Sequence, residues 1–202
     1  MKISLPLLAA VLLAAGLLAG CQSPKAQSPS RSSVSTRNNC YSLLHQLLDD
    51  EKNVSLLRFI KPEDAGVENL VKRIATTSAT GATLLEEFAK DDPTLRLDDL
   101  RLPPGELATR AAIASTKQQE LLGQTGDTFE LTLLLTQTEA LNYAWHLAKV
   151  ASENEPQPGH ARALAAVSQD MENLYHEVFA LLLSHAKSSA TNPVETQHAT
   201  SP

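Results

Sequence analysis

Side chains that could do chemistry are few in this chain, and their spacing is poor. Glu172 and His176 stand four residues apart, the spacing that lets two side chains share a metal ion or pass a proton on one helix face. Relative to Met171 and Leu174 they turn outward, so they read as a solvated pair. Glu139 and His146 lie two turns apart beside an apolar stripe and read as polar residues at a bundle edge. A di-iron bundle needs inward Glu residues and Glu-x-x-His on two helices. No expected helix carries Glu-x-x-His, and the inward positions are apolar, small or neutral: Ser78, Gly81, Gln118, Thr136 and Ala140. No carboxylate is expected on an inward stripe. Gly-x-Ser-x-Gly, Cys-x-x-Cys and a phosphate-cradling glycine loop are all missing from the sequence. A hydrolase would have to assemble its site from scattered residues. No metal site, catalytic group or cofactor is therefore expected.

Composition narrows the class. Aromatic residues are only 4% while Ala and Leu dominate, which favours helix over sheet. The formal net charge of −6 leaves no electrostatic footprint for nucleic acid. The two cysteines, Cys21 and Cys40, have different settings.

Residues 1–20 join a single early Lys2 to an uninterrupted run of small apolar residues, the pattern of a secretory signal. The run ends in Leu18, Ala19, Gly20 and Cys21, which resembles the bacterial lipobox. That resemblance implies cleavage before Cys21, acyl chains on its thiol and new amino group, and membrane anchoring facing the periplasm. Each buried methylene of such a chain contributes about 0.8 kcal/mol. The next residue is Gln22 and not Asp, which by resemblance to sorting in enteric bacteria favours the outer membrane. Residues 22–39 are rich in Ser, Pro and Gln and read, with Cys21, as a disordered tether. Once Cys21 is acylated, Cys40 has no partner; it is either a small buried residue or a site of intermolecular disulfide formation.

The elements that could position anything follow from apolar spacing. Residues 40–60 carry Leu43, Leu44, Leu47, Leu48, Leu56 and Leu57, with a break near 49–53, and predict an additional N-terminal helix. A second helix starts at Pro62 and runs to about Lys90, ahead of Pro93. Leu95, Leu97, Leu100 and Leu102 predict an ordered connection. The third helix, 106–122, has the stripe Leu107, Ala111, Ala114, Gln118 and Leu121, with Gly123 and Gly126 at its end. The central helix, 127–153, is apolar on two faces: Phe129, Leu133, Thr136, Ala140, Tyr143, Leu147 and Val150 on one, and Leu131, Leu134, Leu135, Leu141, Trp145 and Ala148 on the other. The last helix spans about 160–186, and 187–202 reads as a disordered tail. The expected fold is all-α: an up-down four-helix bundle with the 40–60 helix lying against the second face of the central helix. If nothing in the chain covers that face, Leu131, Leu134, Leu141 and Trp145 become an interaction face for a partner protein of the envelope.

The order of these pieces resembles an exported bacterial family of unknown function with a ferritin-like bundle. The features that carry it are Val71, Lys72, Ile74 and Ala75 early in one helix, the Leu102–Pro103 loop, and Phe129 opening the central helix. The family pattern places an Asp-His pair mid-helix, where this chain has Gly81–Ala82 and Ala140–Leu141. The resulting expectation is a lipid-anchored, non-catalytic binding or structural module; the alternative is a metal- or stress-linked ferritin-like protein. Cys21→Ser is expected to leave the precursor uncut and unacylated, measured by its mass and its partition into detergent. A variant that still loses residues 1–20 and still partitions with lipid contradicts the anchor.

Overall fold

The computed structural model describes residues 31–59 and 64–191. Five helices account for nearly all of them: α1 (Arg31–Glu51), α2 (Ala65–Asp91), α3 (Pro104–Gly123), α4 (Gly126–Asn154) and α5 (Pro158–Thr191), with a 3-10 turn at Val54–Phe59. No strand occurs among the described residues, and no helix among them is long and apolar enough to cross a membrane. The signal, Cys21 and most of the tether lie outside the described residues, as do residues 192–202 of the tail.

Local chemistry sets most boundaries. Asp64 caps α2 by accepting a hydrogen bond from the Gly66 amide at 2.7 Å. Its far end stops two residues before Pro93. Pro104 sits at the first position of α3, where its missing N–H costs nothing. Gly126 begins α4 at φ +57°, a conformation that a β-carbon would strain.

Four helices close a ring: α1 packs on α2, α2 on α5, α5 on α4, and α4 on α1. Each neighbour runs antiparallel to the next. Arg37 near the start of α1 meets Asp92 just after α2, Arg73 early in α2 meets Glu177 late in α5, and Glu130 early in α4 meets His185 late in α5. Tyr41 near the start of α1 meets Glu155 at the end of α4. At Gly81 the Leu48 side chain of α1 lies close against the α2 backbone. A β-carbon there would stand 2.9 Å from the Leu48 Cδ1, so glycine is what lets Leu48 seat fully inside.

The ring differs from the expected one in its membership. The stripe on the third helix predicts a core element, yet α3 lies outside the ring with Leu107, Ala111, Ala114 and Gln118 exposed; Leu121 is its one buried residue. That stripe is mostly Ala and Gln, which offer little area to bury. The N-terminal helix, expected as an addition, takes the vacant place. It buries Tyr41, Leu44 and Leu48 completely and starts at Arg31, inside the expected tether.

Tertiary contacts override the polar composition of 31–39. The Arg37 guanidinium, 5% exposed, lies 3.0 Å from Asp92 Oδ2 and 3.8 Å from Glu155 Oε2. It also donates to Thr94 Oγ1 at 3.1 Å. Tyr41 donates to Glu155 Oε2 at 2.7 Å, and Asn38 donates to the Thr94 carbonyl at 3.0 Å. Burial pushes the Tyr41 phenol up, and the Glu155 carboxylate beside it pushes further the same way. Burial acts to raise Asp92, but hydrogen bonds from Thr94 and the Arg37 charge outweigh it and hold the carboxyl below its usual range. The loop they grip is ordered as expected: Leu95 is buried and Leu97 packs against the core.

Removing one member of a buried charge network leaves its partners unpaired, at about 3–5 kcal/mol. Arg37→Ala is expected to destabilise by that amount in denaturant unfolding, while Leu107→Ala on α3 stays within about 0.5 kcal/mol. Equal losses at the two positions would contradict this assignment of ring members.

Candidate functional site

Because α3 stands outside the ring, it leans on α4 without closing against it. Arg110 on α3 donates to the Tyr143 hydroxyl at 2.9 Å, and its guanidinium carbon lies 5.2 Å from the centre of that ring. One turn and more along, Lys117 pairs with Glu139. Beneath these two ties, α1, α3 and α4 enclose a groove of about 910 Å³. Leu47 and Val54 wall it from the α1 side, Ile113, Ala114 and Leu121 from α3, and Leu133, Ala140 and Tyr143 from α4.

The floor is polar. Gln137 is 2% exposed, and Glu51 closes α1 just above it. The two side chains hydrogen-bond to one another. Even so, Glu51 Oε2 and Gln137 Oε1 are sealed from solvent with no hydrogen-bond partner. Leaving a buried polar atom unpaired costs about 1–3 kcal/mol. A protonated Glu51 carries the O–H donor that can answer Gln137 Oε1. Burial pushes the Glu51 carboxyl up to about 7; Asp50 adds to that rise, while the Gln137 hydrogen bond and Lys117 oppose it.

The groove explains one face of the central helix. Thr136, Ala140 and Tyr143, read as core positions, instead line it and are only partly buried. The buried line of α4 runs between the two apolar faces, through Glu130, Leu134, Gln137, Leu141, Ala144, Ala148, Ala151 and Glu155. The expectation of no inward carboxylate is thereby corrected. Glu130 and Glu155 are 8% exposed on that line. They lie inward because each has a donor to meet: Glu130 accepts from the Asp64 amide and pairs with His185, and Glu155 meets Tyr41 and Arg37.

The proposed interaction face is also corrected. Leu134 and Leu141 are 1% exposed, held in the chain's own core and out of reach of a partner. Leu131 is half-buried. Trp145 is half-buried against α5, its ring 6.0 Å from that of Tyr175, with Ser168 donating to its carbonyl at 3.3 Å. The cover for Trp145 comes from α5 and not from the 40–60 segment.

Other candidates stay apart. Glu172 accepts from Gln169 at 3.1 Å, while His176 lies among Trp145 and Tyr175. Glu139 turns to Lys117, and His146 bonds the Asn142 carbonyl at 2.8 Å. Cys40 is buried and free, its thiol pushed up by burial, which fits the small buried residue of the two readings. Where the resembled family has Asp-His, Gly81 and Ala82 pack α1 and α2 together, Ala140 lines the groove and Leu141 fills the core. No family model matches the chain, and neither does any curated protein or solved structure.

Glu51 makes stability fall with pH. An acid whose folded pKa is raised binds its proton more tightly when folded. The stability it contributes is full below its unfolded pKa of about 4.3 and is lost as pH rises through about 7. Glu51→Gln is neutral at every pH. It is expected to match the wild type near pH 4.5 and exceed it by about 1–3 kcal/mol near pH 8. Identical pH profiles of denaturation midpoint for the two proteins would contradict a buried Glu51 carboxyl.

Proposed function

We propose that the protein is a lipid-anchored module of the cell envelope, tethered through Cys21 and facing the periplasm, that binds a small molecule with an apolar body in the groove between α1, α3 and α4. The reading makes it a carrier or receptor and not a catalyst. One observation carries it: a largely apolar groove of about 910 Å³ between α1, α3 and α4. That volume suits one drug-sized or lipid-sized guest, and largely apolar walls with a few convergent polar atoms are how such guests are held.

Neighbours around the ring alternate in direction, but in chain order α1, α2, α4 and α5 run up, down, down and up, which supports a four-helix bundle with one crossover, from α2 through α3 to α4, in place of the expected up-down order. A ferritin-like bundle keeps its ligands on the inner axis. Of the buried unpartnered side-chain atoms among the described residues, Glu51 Oε2 and Gln137 Oε1 belong to residues lining the gap beside α3, while Ser78 Oγ lies in the core and His160 stacks on Phe88. The exposed α3 gives the groove a movable outer wall, since a helix with a single buried residue can shift at little cost.

An environment-sensitive naphthyl fluorophore is expected to bind the domain with saturable emission. Ala114→Trp places a large ring in the groove from the exposed side of α3, so the fold is preserved, and it is expected to weaken binding by about tenfold or more. Ala165→Trp, on the exposed face of α5, is expected to leave it unchanged. Equal affinity in all three proteins would contradict guest binding in this groove.

A further inference from the structure

We propose that the joined Glu51 and Gln137 side chains form a pH-sensitive latch on the groove, shut while Glu51 carries a proton and released once it is ionised. The inference rests on the binding reading above and adds the regulation of that site; it needs no contact between the latch and a guest. The Gln137 amide donates to Glu51, which leaves Glu51 Oε2 and Gln137 Oε1, both sealed from solvent. With Glu51 ionised, both atoms are acceptors and neither has a donor. With Glu51 protonated, its O–H is the donor, and acid and amide can satisfy each other without water. Burial pushes the Glu51 carboxyl up, in keeping with the neutral form.

The charged groups around the latch, among the described residues, do not relieve an ionised Glu51. Asp50, beside it on α1, opposes ionisation. Lys117 on α3 favours it but is paired with Glu139 of α4, and Arg110 on α3 is held by Glu106 at 2.7 Å and by Tyr143. Lys52, next in the chain, pairs with Asp49. An ionised carboxylate is therefore answered by water, which it reaches when the end of α1 lifts. Leu48 is seated fully in the core, but Asp50, Lys52 and Asn53 beyond it are exposed. Glu51 ties this last turn to α4, and Val54, which follows it, walls the groove. Lifting the turn moves that wall and opens the floor, so a guest is held at acid pH and let go as pH rises.

Amide exchange and guest binding, both read on the full chain, test the latch. The shut form binds its proton more tightly than the open one, so raising pH favours opening. The Lys52 and Asn53 amides bond the Leu48 and Asp50 carbonyls and report on this turn. Corrected for the intrinsic rate, their exchange is expected to rise by about tenfold or more between about pH 5 and pH 8. It is expected to stay level in Glu51→Gln, whose side chain is neutral throughout. Phenylnaphthylamine, uncharged across that range, is expected to bind at least about fivefold more weakly at the higher pH, and with one affinity in Glu51→Gln. Exchange that ignores pH in the wild type, or follows it equally in Glu51→Gln, overturns the latch. Strong binding of unchanged affinity across pH also overturns the latch and leaves the binding function standing. No binding at either pH overturns the binding function and, with it, the latch's control of a guest.

Discussion

The fold depends on how the N-terminal end of α1 is held. Arg37 reaches Asp92 and Thr94 after α2 and Glu155 after α4, so one guanidinium ties three chain segments at the same end of the ring. Two carboxylates and a cation are drawn out of water there, which is tolerable only because Tyr41, Asn38 and Thr94 answer the remaining hydrogen-bonding atoms. Such a network is a device for choosing a register as much as for adding stability, because any sliding of α1 breaks several contacts at once. With α1 fixed, Tyr41, Leu44 and Leu48 fill the space between α2 and α4. With that space filled, α3 has no core left to enter.

The displacement of α3 creates the groove. A helix with a rich apolar stripe would have sealed against α4, but α3 offers Ala111, Ala114 and Gln118 at its middle and keeps contact through Arg110 and Lys117. The far ends of α4 show how the same helix treats polar residues when donors are at hand. Glu130 and Glu155 are buried and answered. Gln137 lies on the same line between them, and its Oε1 is unanswered, as is Glu51 Oε2 beside it.

Much of the architecture was legible from the sequence, and the reasons are local. Pro93 and Gly126 act on the backbone within a residue or two of themselves and were read as limits, whereas the starts set by Asp64, Pro104 and Pro158 fall two or three residues from the expected 62, 106 and 160. Ring membership was not legible, because apolar spacing shows that a helix has a face but not which partner wins it. The stripe of α3 and the stripe of α1 have the same period; the difference lies in the size of the side chains, Leu44 and Leu48 against Ala111 and Ala114. Residues 31–39 looked like tether because nothing apolar marks them, and only distant partners such as Asp92 and Glu155 make them helical. The floor residues were missed for a related reason. Glu130 and Gln137 fall a heptad apart, with Ala144 and Ala151 continuing the same row midway between the two apolar faces of α4. That row was the available signal, since a helix apolar on both sides buries what lies between.

Amide hydrogen exchange tests the central claim most directly, because it ranks the helices by how much of the structure must open to expose each one. With α1 as a ring member, the amides of Tyr41 to Leu48 should exchange as slowly as those of α4 around Leu141, while those of α3 around Ala111 exchange orders of magnitude faster. Slow exchange in α3 together with fast exchange in α1 would contradict the account, restoring the bundle expected from apolar stripes alone and removing the wall on which the groove depends.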